Sequence, residues 1–505
     1  MGRARAAVGL AAVVAAGALL VSGGRGSDPR TPVGPPGMPP PFLGVAVLGD
    51  GGLTAAVDAY GDVVDLRRQP AGRALIDNPA DRQAAGSVDP DVGTQVWARV
   101  GGGPARPIWE ADSVRQRYRP GTNVLLTAAR FGTARVVVEQ AVQDGKLAVI
   151  AGGDAAEVEL RANEGGGVLT RSPSVLVAAA AADRRWLSRA RPLGPGAPAW
   201  ARRMYDRSLL VLHALTGRNG AIAAGARDGW AYVWPRDASA AAIAFAAAGY
   251  RAEAGSVVRF LLGLGLEQTA RFNGDGSPVP GRAAQGDAIG WVAAASQAVG
   301  IIGSSEQAAR ILAGGDSIPW RDRADYWEGE PGNYLGNAIA SGADVSEFSR
   351  HIWGGKSDTS LSGLVREASD PDSGLDSAAA WVVRPFSLPR LYPAARATLN
   401  RLVAQATPYG ITPGEGWPGG QDPWSAPTAW TAWSLAALGE RRRALEMMQA
   451  LRRSATPAGD LPERVDARSG VPASTTPLAW SHAFAILALR ELWPRPAGTL
   501  VRALS

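Results

Sequence analysis

The stretch Gly229-Trp-Ala-Tyr-Val-Trp-Pro-Arg-Asp237, running straight into the alanine-dense segment Ala238 to Ala248, decides the fold. Proline is at home in the first turn of a helix, where its missing N–H costs nothing. The residues after it are apolar on most faces, so this helix must be walled in on both sides. Downstream and upstream of it, from Pro198 to about Trp493, the same phrase recurs: a Gly/Pro-rich loop, then an apolar helical run. Such runs are expected over 200–216, 238–248, 255–264, 288–302, 305–313, 335–352, 361–367, 375–383, 394–405, 428–438, 441–453 and 478–492. Paired as hairpins, these runs would close into an (α/α)6 toroid over 198–495, although an irregular helical domain has the same count.

Before this region the period changes to two. Between Phe42 and Ala181 short Val- and Leu-rich segments, among them Leu53–Val57, Val63–Leu66, Val136–Val142 and Leu147–Ala151, are punctuated by turns rich in Gly, Asp and Pro. That is the pattern of an all-β sandwich, here 42–181, joined to the helical part by a linker at 182–197. At the start of the chain Arg3 and Arg5 precede an apolar run, Ala6 to Val21. Residues 1–22 read as a signal peptide or a membrane anchor, and 23–41 as an extended Pro/Gly-rich tether. The expected location is therefore extracytoplasmic, with the protein either secreted or associated with the membrane through this segment.

The 505 residues carry 52 basic and 46 acidic side chains, a net charge of +6, and 46% of them are hydrophobic. All the basic residues except Lys146 and Lys356 are arginine, scattered among acids with no basic stripe, so nucleic acid is not an expected partner. The absence of cysteine removes disulfides, thiolate metal sites and thiol nucleophiles. His213, His351 and His482 lie far apart without a ligand-pair spacing, so no metal or other cofactor is expected. Tryptophan, at 17, outnumbers tyrosine and phenylalanine, at 9 and 8. Such an excess serves either to fill a core or to give sugar rings flat surfaces.

The aromatic and acidic residues concentrate in the long loops. Arg236 and Asp237 follow Trp234, and the plain reading is a helix cap with a local ion pair. Asp287, in Gln285-Gly-Asp287, can also be a cap. Glu328 follows Tyr326 and Trp327; a carboxyl lodged against indoles is desolvated and keeps its proton. The loop 413–428 holds Trp417 and Trp424. Glu463, between Pro462 and Arg464, is expected to be fixed and ionised, and His482 by itself reads as a structural histidine. One neutral and one ionised carboxyl are the minimum for splitting a glycosidic bond.

The ordered set Tyr232-Val-Trp-Pro-Arg-Asp237, Gln285-x-Asp287-x-x-Gly290, Tyr326-Trp-Glu328, Trp424-x-x-Pro-Thr428-x-Trp430, Leu461-Pro-Glu463 and Pro477-Leu-x-Trp-Ser-His482 resembles glycoside hydrolase family 15, which includes glucoamylases, glucodextranases and some bacterial trehalases. Leu48-Gly-Asp-Gly-Gly-Leu53 and Tyr60-Gly-Asp-Val-Val-Asp65 resemble the sandwich that precedes the barrel in bacterial members. The resemblance implies an inverting exo-hydrolase acting on an α-glucoside, a short α-glucan or a trehalose-type disaccharide. Glu328 would be the general acid and Glu463 the general base. Trp234, Arg236, Asp237, Gln285, Asp287, Trp327, Trp424 and His482 would bind the substrate. The competing expectation is a membrane-tethered envelope protein that binds oligosaccharide or polysaccharide without turning it over.

Overall fold

The computed structural model describes residues 45–77, 92–154, 156–162, 167–301, 319–352, 361–368 and 370–495. The expected signal or anchor at 1–22, the tether at 23–41 and the run at 305–313 lie outside the described residues. Among the described residues no helix is long and apolar enough to cross a membrane.

The first half is β-structure in three sheets. One takes the order β1 (Ala46–Gly49), β2 (Leu53–Val57), β3 (Val63–Arg68), β4 (Ala74–Asp77); a second, larger one is built on β7 (Ser113–Tyr118), β8 (Leu125–Phe131), β9 (Ala134–Gln143) and β10 (Lys146–Asp154), with the short β12 (Leu169–Thr170) beside β10. A third joins β5 (Thr94–Val100) to β11 (Ala156–Ala162) and β6 (Arg106–Pro107). Alternation drives the packing: Val136 and Val138 are buried while Arg135 points to solvent, so one face of β9 meets Leu48, Leu53 and Leu66 in a common core. The sandwich ends sooner than expected. From Pro173 to Leu187 the chain is a helix, α1, packed through Leu176, Ala179 and Ala180 against Val124, Ala141 and Ala148 of the second sheet. Pro173 at its first position starts it.

Beyond α2 (Ala199–Ala214) come α3 (Pro235–Ala248), α4 (Arg251–Leu262), α5 (Ala288–Val299), α6 (Leu335–Ser341), a 3₁₀ helix (Ser377–Val382), α7 (Tyr392–Ala404), α8 (Ser425–Ala437), α9 (Arg441–Ser454) and α10 (Ala479–Leu492). Six of these elements pack in a closed ring: α3 on α5, α5 on α6, α6 on the 3₁₀ helix, that helix on α8, α8 on α10, and α10 back on α3. α2, α4, α7 and α9 lie against the ring members. Two expectations fail. The run over 335–352 stops at Ser341 because Gly342 adopts the left-handed conformation (φ 74°) that ends a helix. The run over 361–367 is a strand, β14 (Leu361–Glu367), between β13 (Ser349–Ile352) and β15 (Asp370–Leu375), and this small sheet packs on α6 and α7.

Aromatic rings fill the centre of the ring of helices. Trp291 of α5, Trp381 of the 3₁₀ helix, Trp430 of α8 and Phe484 of α10 are fully buried, with ring centroids 5.1 to 5.9 Å apart in edge-to-face contacts. Each buried indole contributes about 4–6 kcal/mol of apolar burial before entropy is counted. Tryptophan as core filler accounts for these three. Others stand above them.

Candidate active site

The segments that lead into the six ring elements are tied to one another, and the candidate residues lie on them. Trp234 opens α3 and its indole N–H donates to Glu328 Oε1 at 2.7 Å. Arg236 donates to Gln285 Oε1 at 2.9 Å, Asp287 Oδ2 at 3.0 Å and the Tyr326 carbonyl at 3.3 Å. The Tyr326 hydroxyl donates to Asp376 at 2.5 Å, Trp327 packs edge-on against Trp424 at 4.8 Å, and the Ser425 N–H donates to the Glu463 carbonyl at 3.0 Å.

Arg236 is only 3% exposed, and its charge is met from two sides by Asp287, at 3.0 Å, and Asp237, at 3.6 Å, while its plane lies 4.7 Å over Trp480. The N-cap position of α3 belongs to Trp234 and not to Asp237; Asp287 does hold the N-cap position of α5, but its side chain makes no capping bond. Burial pushes the Asp237 carboxyl up to about 7 against the pull of Arg236, with Glu463 and Asp287 adding to the rise. Glu463 is thus in electrostatic range of the Arg236–Asp237 pair.

Glu328 has a backbone φ of +59°, a left-handed conformation that costs about 1–3 kcal/mol in a residue with a side chain. Asp325 holds the turn: its Oδ1 accepts from the N–H groups of Trp327 (3.0 Å) and Gly329 (3.1 Å), and its Oδ2 pairs with Arg366 at 2.7 Å. The Glu328 side chain is 19% exposed and pairs with the Arg282 guanidinium. The expectation of a carboxyl lodged dry against indoles is corrected: the Glu328 side chain is partly exposed and meets the Arg282 guanidinium as well as the Trp234 indole N–H.

Glu463 is fixed by its own backbone, its N–H donating to the Thr475 carbonyl at 2.8 Å. Burial raises the pKa of its carboxyl; the Ser474 hydroxyl, Arg464, the Trp230 side chain and Arg282 oppose that rise. The expected support from Arg464 is indirect, since its guanidinium goes to Asp422 (3.3 Å) and the Ala473 carbonyl (2.9 Å). Arg282 pairs with Glu328 and also opposes the rise at Glu463, so it is within charge range of both carboxyls.

The expectation that His482 binds substrate is also corrected. It is fully buried: Nε2 accepts from the Leu461 N–H at 3.0 Å, and Nδ1 lies 2.9 Å from the Ser208 hydroxyl. Burial lowers its pKa well below the usual histidine value, and the ring holds the segment that carries Glu463. Trp417 packs on Trp327 at 5.3 Å and borders a small cleft with Arg366, Asp376 and Glu415. Sequence reasoning missed Arg282, Arg271, Ser474 and Asp325. Only Asp325 carried a signal, its place one residue before Tyr326-Trp-Glu328.

Several polar atoms here are buried without a protein partner: Arg236 Nε, Gln285 Nε2, Asp287 Oδ1 and the indole nitrogens of Trp327, Trp424 and Trp480. Each such group costs about 1–3 kcal/mol if nothing binds it.

No protein-family model and no curated protein sequence matches the chain. Solved structures do. A bacterial glucoamylase complexed with acarbose matches with a TM-score of 0.64 at 13% identity, over 93% of this chain and 96% of its own. The fold is that of a glucoamylase. A wild-type glycosidase (TM-score 0.47, 21% identity, 58% of this chain and 97% of its own) and a glucoamylase from Saccharomycopsis fibuligera (TM-score 0.44, 13% identity, 58% and 94%) also match. On this glucoamylase-like fold the candidate residues gather at the entries to the ring elements.

Proposed function

We propose that this chain is an inverting, exo-acting glycoside hydrolase of α-glucosides, in which the ring is the inner wall of a six-hairpin toroid. One observation carries the reading: unpartnered donors and acceptors cluster beside the packed indoles of Trp327, Trp424 and Trp480, with Arg282 in charge range of both Glu328 and Glu463. Vicinal hydroxyls of a sugar supply the missing partners, and its apolar face covers the indoles. Arg236, Asp237, Asp287 and Gln285 hold the terminal glucose. Glu328, protonated, gives its proton to the leaving oxygen as the C1–O bond breaks. Glu463, ionised, takes a proton from the water whose oxygen bonds to C1 on the opposite face, for which inverting enzymes keep their carboxyls about 6.5–9.5 Å apart. The apolar run at 6–21 supports placement outside the cytoplasmic membrane.

Anomer-resolved NMR on maltose, isomaltose and trehalose series tests the reading. The β-anomer of glucose is expected first, and α-glucose appearing first would overturn inversion. Glu328→Gln and Glu463→Gln are each expected to lower kcat by about 100-fold or more while sugar binding stays measurable. The second reading, a carbohydrate-binding protein without turnover, is favoured by the pairing of Glu328 with Arg282; sugar binding with no product in any series would establish it.

A further inference from the structure

Resting on the glycosidase reading, we infer that the preferred substrate is an α-glucoside whose aglycone carries an anion, a carboxylate or a phosphate, bound by Arg282 and Arg271 beside Trp234. Both arginines come from the segment between α4 and α5. Their guanidinium carbons lie 6.0 and 5.8 Å from the centroid of the same indole, and Arg271 also covers Tyr232 at 4.7 Å. Desolvation lowers the pKa of both, and the charge of Arg271 lowers that of Arg282 further. Two half-dry cations set against one another are costly unless an anion joins them.

The protein supplies too few counter-charges. Among the described residues Arg271 has no carboxylate partner; it donates to the Gly229 carbonyl at 3.3 Å, and its Nε is buried without a partner. Arg282 is paired with Glu328 and lies within charge range of Glu463, which leaves Arg271 without a carboxylate once Glu328 is protonated. Glu328 cannot serve as the counter-ion of Arg282 and hold a transferable proton in the same step. The glucose side is different, because Arg236 is already neutralised by Asp287 and Asp237. A group that touches the proton donor of the leaving oxygen lies on the aglycone side, which is where the uncompensated charge is.

An anionic aglycone resolves all three features. It draws Arg282 off Glu328, relieves the repulsion with Arg271 and occupies the free Nε. Glu328 then takes a proton from solvent and passes it to the leaving oxygen. Water adds across the C1–O bond as before, its second proton going to Glu463 and back to solvent.

Maltitol and maltobionate are both open-chain glucosides, the second with a carboxylate; trehalose and trehalose 6-phosphate make the matching phosphate pair. With the full-length protein, kcat/KM is expected to favour the anionic member of at least one pair by about tenfold or more, as for loss of a charged hydrogen bond. Which pair shows it distinguishes carboxylate from phosphate. Arg271→Gln is expected to bring that ratio close to one by lowering the rate on the anionic member. Arg282→Gln is expected to bring it close to one as well, while also changing the rate on the neutral member because it removes the partner of Glu328. Equal kcat/KM within both pairs would overturn the anion inference and leave the glycosidase reading intact. So would an Arg282→Gln variant faster on both members of a pair, which would make Arg282 a simple block. If no member of either pair is hydrolysed, the glycosidase reading fails instead. Calorimetry then decides the anion site, with equal Kd for maltobionate and maltitol, and for the trehalose pair, overturning it.

Discussion

In the proposed reaction Glu463 is the general base and must lose its proton first, so what favours its charged form matters more than its burial. Burial favours the neutral form, and the Ser474 hydroxyl is the foremost group opposing it. Ser474→Ala removes that hydrogen bond and moves the Glu463 pKa further up. Because the ionised form is the active one, the acidic limb of the kcat/KM profile is expected to shift to higher pH. The loss should be about tenfold at pH 5 and much smaller at pH 8, the worth of a charge-assisted bond; an unmoved limb would separate Ser474 from the base. At this scale the sequence was legible where residue type and neighbours decide the role. Trp234, Arg236 and Asp287 meet as their motifs suggest. His482 could not be read from its motif, since a histidine that accepts from a backbone N–H and one that meets a sugar look alike in sequence. Arg282 was hidden for another reason: nothing in Pro280-Gly-Arg282 marks an arginine that reaches a glutamate 46 residues later.

Elements place these side chains through strain that neighbours hold in check. The left-handed backbone at Glu328 persists because Asp325 accepts two N–H groups of the same turn and is anchored by Arg366. Asp325→Ala frees both N–H groups and leaves Arg366 beside Trp417 and Tyr334 without its carboxylate. The turn then relaxes toward ordinary backbone angles and Glu328 moves from the leaving oxygen. A displacement of that order costs about 100-fold in kcat with a smaller effect on KM, measurable by steady-state kinetics on whichever glucoside is hydrolysed; a wild-type kcat would dissociate the turn from catalysis. Helices with long apolar runs and a clear stop, such as Pro235–Ala248 before Gly249, were legible within a few residues. Leu361–Glu367 was not, because a seven-residue segment with only Leu361, Leu364 and Val365 apolar is too short to separate helix from strand, and its partners β13 and β15 are set by tertiary pairing. The helix Pro173–Leu187 falls across the expected end of the sandwich at 181 and the start of the expected linker at 182, and neither expectation holds there.

At the scale of the whole molecule, the sandwich reaches the segment that carries the base. Tyr118 of β7 donates to Asp460 at 3.1 Å, three residues before Glu463, and its hydroxyl is also bound by the Val47 backbone. Arg207 of α2 completes the junction, 3.5 Å from Asp460, stacked 3.7 Å over the Tyr118 ring and bonded to Asn123 and the Thr122 carbonyl. Burial pushes the Asp460 carboxyl up to about 6, and Arg207 and Tyr118 pull it back. Removing either therefore strands a buried acid. Arg207→Ala is expected to cost about 3–5 kcal/mol, the penalty for breaking a buried pair, and Tyr118→Phe about 1–3 kcal/mol. Because α2 packs on β1, and Val45, Val47, Ala56 and Val64 from the side of the first sheet join the helical core, the wild-type chain should unfold in one calorimetric transition, and Arg207→Ala should split it into two. Two transitions in the wild type would show that the sandwich and the helical ring fold independently. Tyr118→Phe carries the functional half of the argument. Its ring is kept, so the sandwich stays folded while the anchor of Asp460 is lost, and a fall in kcat with KM nearly unchanged is the mark of a base held out of place by a domain that never touches the sugar.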